Sequence, residues 1–304
     1  MIYRLILGAF LALPLAGLAQ QPLLQSGQLL TDVRILSADS LGGRSSGTEG
    51  SLMAQDYIIK RFSEIGLKAF NNNYRQQFKI ANRNGSELEG TNLVGYIPGK
   101  SGKAIVITAH YDHVGIRNGE VYNGADDNAS GVAALLAAAT YFKNTTPNHT
   151  LIFVAPDAEE KGLQGANTFL NSPPVPLQDI LLNVNMDMLG INAKGELYAS
   201  GTFHNPSFKQ LLEKVKPREH ARLVLGHDKP EQGHNDWTNQ SDHFQFHKRK
   251  IPFIYFGVED HAHYHKPTDE FKQINQQFFP DAAALVIEFI GIADRKLSSK
   301  QQSK

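Results

Sequence analysis

Cysteine is missing from all 304 residues. That excludes disulfide bonds, thiolate-held metals and a cysteine nucleophile. A surplus of either charge is missing too, with Lys plus Arg at 30 and Asp plus Glu at 30. A dedicated nucleic-acid binder carries a basic excess, so no nucleic-acid partner is expected. There is no internal repeat and no low-complexity linker, and long apolar runs are confined to the N-terminus. What remains is a chain that is 41% hydrophobic and 20% charged. That is enough apolar mass for a real core and too much for a disordered chain.

The N-terminus reads as a targeting segment. Arg4 supplies a positive start, residues 5–18 are apolar around Pro14, and Gly17 and Ala19 stand at the −3 and −1 positions of a cut before Gln20. This is the pattern of a secretory signal peptide over residues 1–19. The run is short for a membrane span of about 20 residues, and no cysteine follows it for a lipid anchor. The expectation is an exported protein, periplasmic or secreted, with no stable membrane anchor after cleavage. The tail over 297–304 is polar and expected to fray.

Between these ends, one catalytic domain over 20–296 is predicted. Short β-rich runs fall at 77–80, 92–97, 104–109, 150–155, 181–186, 197–200 and 251–256. Three of them, AIVITA, TLIFVA and IPFIYF, are nearly continuous apolar, as strands buried on both faces are. Helical spacing appears over 28–40, 51–65, 131–142, 163–170, 206–215 and 281–295, with Gly66 as a stop for the second. Strand–helix alternation predicts an α/β fold with a mostly parallel sheet covered by helices. A hairpin-like excursion is expected near 70–92.

Ligands of open α/β sheets bind outside the carboxyl ends of the strands. The residues that follow the strong strands here are acids and imidazoles. His110 and Asp112 follow AIVITA; Asp157, Glu159 and Glu160 follow TLIFVA; Asp187 follows LLNVNM; Glu259, Asp260, His261, His263 and His265 follow IPFIYF. GADDNASG, with Asp126 and Asp127, opens the Ala-rich helix. So many crowded carboxylates repel unless cations neutralise them. Oxygen and imidazole donors without thiolate suit Zn²⁺, Mn²⁺ or Co²⁺. Two divalent ions would balance three carboxylates and a hydroxide. His261, His263 and His265 alternate, so one metal ligand is expected among them.

Each motif also has a blander reading. Asp126 and Asp127 could cap a helix, and Glu159 with Glu160 could be a solvated pair. An EF-hand loop counted from Asp126 would need Glu where Ala137 stands. The G-x-S-x-G match at 43–47 lacks the strand that a nucleophile elbow requires. No His is followed by Glu, which excludes H-E-x-x-H zinc proteases.

Six motifs in order, AHYD, GADDNASG, AEEKGLQGA, NMDMLG, SDH and YHKPTD, together with the upstream LGGRSSGTEG, closely resemble the secreted di-zinc exopeptidase family of bacterial leucyl-type aminopeptidases. That family is related to glutamate carboxypeptidase and, more remotely, to glutaminyl cyclase. The resemblance implies a three-layer α/β/α sandwich with a mixed sheet. It implies two Zn²⁺ per chain, one held by His110 and Asp187 and the other by Glu160 and His265, with Asp127 bridging both. It implies Glu159 as general base and Asp112 as the residue orienting His110. It places a cis peptide at Asp127–Asn128. Glu270 departs from the family pattern, in which a small polar residue often follows YHKPTD.

The activity so implied is removal of N-terminal residues from short peptides by a metal-bridged hydroxide, with Tyr255 or Tyr264 as possible oxyanion donors. A compact monomer is expected, because the chain has no room for an added dimerisation domain. Two alternatives stand beside it: a single-zinc glutaminyl cyclase-like transferase, and a catalytically silent binding ectodomain on the same fold. Side-chain specificity, aminopeptidase against dipeptidase or carboxypeptidase action, and the metal used in vivo are left open, as are the roles of His243, His261 and His263.

Overall fold

The computed structural model describes residues 24–82 and 85–297. The leader expected over 1–19 and the tail beyond Leu297 lie outside them. The strands are β1 (Lys68–Ala69), β2 (Arg75–Ala81), β3 (Glu87–Ile97), β4 (Ala104–Thr108), β5 (Gly115–Arg117) and β6 (Glu120–Tyr122). They continue with β7 (Thr150–Ala155), β8 (Ile180–Met186), β9 (Glu196–Ser200), β10 (Arg222–Leu225) and β11 (Phe253–Gly257). The helices are α1 (Ser26–Leu36), α2 (Glu49–Ile65), α3 (Gly131–Phe142), α4 (Gln164–Asn171), α5 (Lys209–Leu212), α6 (His243–Lys248) and α7 (Phe278–Lys296).

Nine strands form one sheet in the order β1-β3-β7-β4-β8-β11-β9-β10, with β2 also pairing β3. β7, β4, β8 and β11 are parallel neighbours. The flanks are antiparallel where β3 meets β7 and where β11 meets β9. The expected mixed sheet is therefore present, parallel at its centre. β5 and β6 make a separate hairpin.

The strand period of two assigns the faces. On β4, Ile105 and Ile107 pack with α1, α2, α3, α5 and α7, while Ala104 and Val106 pack with Phe169 and Leu170 of α4 and Phe246 of α6. Helices thus cover both faces in three layers. Burying one such aliphatic side chain is worth about 1.5–3 kcal/mol, so the central strands can be apolar throughout.

Local signals explain two helices that matter for the site. α2 starts at Thr48, whose hydroxyl accepts from Ser51 N–H at 3.2 Å, and it buries Ala54, Ile58, Phe62 and Ile65 along one stripe. Losing such an N-cap costs about 1 kcal/mol. α3 is buried on nearly every side. It can lie close to β8 because position 131 is glycine: a Cβ there would meet Met186 O at 2.6 Å and Asn128 Oδ1 at 2.3 Å.

The predicted hairpin excursion is the β2–β3 pair, with β3 beginning at Glu87, earlier than expected. The short edge strands β1 and β10, the β5–β6 hairpin and the six-residue α6 were not foreseen. Only α5 and a single tight turn occupy the helix expected over 206–215. No helix among the described residues is long and apolar enough to cross a membrane.

Candidate metal centre

The carboxyl ends of the four parallel strands open onto one edge of the sheet. Past β4 the chain stays beside the β7 end, with Ala109 N–H donating to Val154 O and Tyr111 N–H to Pro156 O. This sets His110, Asp112 and His113 at that edge. Past β7, the Asp112 carboxylate accepts from Glu159 N–H at 3.0 Å and Glu160 N–H at 3.3 Å, fixing both glutamates. Past β8, Asp187 N–H donates to Phe256 O at 3.0 Å, which ties Asp187 to β11.

The turn Ala125–Ser130 before α3 is held by a residue distant in sequence. The Asp269 carboxylate accepts from the N–H groups of Asp126 (2.9 Å) and Asp127 (3.0 Å). Asp126 turns away from the centre: its oxygens accept from Gly190 N–H, Ile191 N–H, Ser130 Oγ and His261 Nε2. Asp127 faces the centre, and the Asp127–Asn128 peptide is cis.

Two groups of metal-ligating side chains result. His110, Glu159 and Asp187 offer donor atoms within 4.8 Å of one another, as do His113, Asp127, Glu160 and His265. Asp127 joins the two. Its Oδ1 is 3.6 Å from His110 Nε2, and its Oδ2 is 3.0 Å from His265 Nε2. His110 Nε2 is 3.3 Å from Asp187 Oδ1, and His265 Nε2 is 3.2 Å from Glu160 Oε1. Donors held around one tetrahedral zinc by bonds of about 2.0–2.1 Å stand about 3.3 Å apart. The donor spacing in both groups therefore fits zinc.

The protein groups alone set opposite charge preferences on neighbouring acids. Burial pushes Glu159 well above the ordinary carboxyl range, and Asp187, Asp242 and Glu160 add to this against His110. Burial acts the same way on Glu160, but the imidazoles of His113 and His265 outweigh it and hold that carboxyl below its ordinary range. For His265, Asp127 and Glu160 outweigh burial and push the imidazole up to about 10. Asp242 is pushed up to about 7 by burial, opposed by His110 and reinforced by Asp187, and neither of its oxygens has a hydrogen-bond partner.

All seven residues singled out for the site, His110, Asp112, Asp127, Glu159, Glu160, Asp187 and His265, lie at this edge. One contact differs in detail from the expectation. His110 Nδ1 is 3.1 Å from the carbonyl oxygen of Asp112, whereas the Asp112 carboxylate is 3.7 Å away and occupied with the Glu159 and Glu160 amides. His261 serves the Asp126 network, and His263 Nδ1 lies 3.0 Å from Thr268 Oγ1. His243 is enclosed, with Nε2 2.9 Å from Trp237 O. Tyr255 donates to Asp187 O at 3.2 Å, and the Tyr264 ring stacks on His265.

Sequence reading missed three contributors. His113 gave no signal beyond being a histidine next to Asp112. Asp269 and Arg44 stood inside quoted motifs without a task. Arg44 is 1% exposed and donates to four backbone carbonyls: Leu36, Tyr111, Asn123 and Gly124. Burial lowers its pKa to about 10, opposed by the field of Asp127, Asp269, Asp112 and Glu160. The guanidinium thus remains a cation beneath the acids at neutral pH.

Comparison with known proteins places this geometry in context. The model of peptidase family M28 matches residues 92–290. The alkaline phosphatase isozyme conversion protein of Escherichia coli is 27% identical over 194 residues, covering 59% of this chain and 56% of that protein. The chain thus matches about half the length of this curated relative. Among solved structures, a zinc aminopeptidase from Bacillus subtilis superposes with a TM-score of 0.73 at 18% identity, covering 92% of this chain and 98% of the other. A glutaminyl cyclase from Porphyromonas gingivalis gives 0.71 at 17% identity, covering 88% and 98%. These two likenesses concern the fold.

Proposed function

Because the chain belongs to peptidase family M28, we propose that it is a zinc-dependent aminopeptidase acting on short peptides. The observation that carries this reading is the placement of Asp127, with one carboxylate oxygen toward His110 and the other toward His265. His110 and Asp187 would hold one zinc, Glu160 and His265 the other, and Asp127 both. When bound, zinc supplies Lewis acidity, lowering the pKa of water and polarising a carbonyl.

The chain's own groups do the rest. Glu159 stands among Asp187, Asp242 and Glu160, which raise its proton affinity. It takes the proton from the attacking water and returns it to the leaving amine, the dual role of a general base and acid. Asp112 holds Glu159 and Glu160 in register through their amides. Asp187 is kept ionised because His110 and Ser241 outweigh its burial. The leader read over 1–19 makes export part of the same proposal.

The test is a chelate-and-restore assay on a panel of aminoacyl amides, N-blocked amides and N-terminal glutaminyl peptides, run on periplasmic and cytoplasmic fractions of the expressing cell. Expected are hydrolysis of free-amine substrates, loss in chelator, recovery with zinc at two ions per chain, and activity in the periplasmic fraction. Cyclisation of glutaminyl peptides without hydrolysis would assign the transferase reading. A fully loaded protein inert on the whole panel would assign the binding reading.

A further inference from the structure

His113 has no metal to hold in the zinc centre proposed from His110, Asp127, Glu160, Asp187 and His265, although its surroundings are specific. The ring is 1% exposed, and although Nδ1 stands close to two carboxylate oxygens, neither ring nitrogen meets a partner in hydrogen-bonding orientation. Glu160 Oε1, which it faces, is likewise buried and out of line with the N–H directions of the imidazoles beside it. Buried polar atoms are costly to leave unmatched, so each such group in a folded protein calls for a reason. His113 Nδ1 lies 2.9 Å from Glu160 Oε1 and 3.6 Å from Asp127 Oδ2. His265 Nε2 lies 3.2 Å and 3.0 Å from the same two oxygens. These four separations bracket the roughly 3.3 Å between donors of a tetrahedral zinc. The two rings approach separately, with centroids 5.7 Å apart and planes 52° apart.

The position of the ring is built into the backbone. Gly124 has φ of +54°, and a Cβ there would lie 2.5 Å from His113 Cδ2 and 2.6 Å from Cγ. The glycine leaves the space that the imidazole fills.

We propose that His113, through Nδ1, is a direct ligand of the ion shared by Asp127, Glu160 and His265, so that this ion is enclosed by four protein donors. The other ion then has three: His110, Asp187 and Oδ1 of Asp127. Zinc sites closed by four protein ligands are structural, and those with three keep a position for substrate or water. The two ions therefore divide the work. The four-donor set would tie the AHYDH, GADDN, AEE and YHKPTD loops together, and the three-donor set on the His110 side stands beside Glu159. This inference rests on the proposed zinc centre and deepens it.

The test uses metal binding, not turnover. Apo full-length protein is titrated with Co²⁺ alone, with competing chelator for affinity and X-ray absorption to count imidazoles per ion. The first equivalent should bind more tightly and show two imidazoles, and the second should show one. His113→Gln should weaken the first equivalent by more than about 100-fold, beyond the 10–100-fold expected for a partner that only hydrogen-bonds a ligand, and reduce its imidazole count to one. His110→Gln should leave the two-imidazole ion in place. An unchanged count in His113→Gln, or a smaller affinity loss, overturns the assignment. Should that variant fail to fold, a first equivalent with a single imidazole in the unsubstituted protein overturns it equally. A two-imidazole ion in a protein that hydrolyses no aminoacyl amide would defeat the aminopeptidase reading and leave the ligand assignment standing.

Discussion

Around His265, two carboxylates, Asp127 and Glu160, meet two imidazoles, His113 and His265. Around Asp187, the single imidazole of His110 meets Asp187 and Glu159, with unpartnered Asp242 close enough to raise the proton affinity of Glu159. The first region is balanced, and its acid is held ionised. The second has surplus acid, and burial with like-charged neighbours raises Glu159 well above its ordinary range. Glu159 and Glu160 are adjacent in the chain and share one backbone anchor, the Asp112 carboxylate. Role therefore follows surroundings and not residue type: an acid between imidazoles suits metal binding, and an acid among acids suits proton transfer.

Exchanging each glutamate for its amide tests this contrast most strongly. Glu159→Gln should lower turnover by about 10²–10⁴-fold, the range of a lost general base, while both ions stay bound. Glu160→Gln should weaken metal binding by more than about 100-fold, since it removes a ligand and not merely a ligand's partner. Turnover and metal content measured on the same preparations check both. If Glu159→Gln sheds metal while Glu160→Gln keeps it, the two regions have been assigned the wrong way round.

A smaller effect separates an imidazole of the site from one beside it. His265 is pushed up to about 10, whereas burial lowers His243 from 6.5 to about 4. The unfolded chain protonates His243 first as pH falls, so its contribution is intact above about 6.5 and is lost toward about 4. At full extent that loss is about 3 kcal/mol. His243→Gln, which keeps a donor for Trp237 O, should flatten the pH dependence of urea unfolding across this window. An identical slope in the two proteins would sink the assignment.

The central strands were legible because burial on both faces leaves no room for polar alternation, and AIVITA and TLIFVA show none. β1 and β10 were not, because short edge strands bury little and leave a weak pattern. α6 is shorter than two helical turns, too brief for a periodicity. Within the site, the motifs pointed to the acids and imidazoles that project from strand ends. His113 escaped because β4 ends at Thr108, five residues before it, so strand alternation could not tell which face it takes. Arg44 and Asp269 escaped for another reason. Their partners are backbone groups, and a backbone carbonyl or amide leaves no trace in residue identity.

Arg44 has a consequence for how much chain the centre requires. The matched family stretch begins at residue 92, well after this arginine. A fragment cut to that boundary would inherit every acid and imidazole of the centre. It would lack α1, α2, β1 and β2, and with them Arg44, whose guanidinium holds the carbonyls of Tyr111, Asn123 and Gly124. The stretch of family likeness stops short of the core this molecule builds, because α1 and α2 pack into that core and Arg44 ties their end of the chain to the loops of the centre.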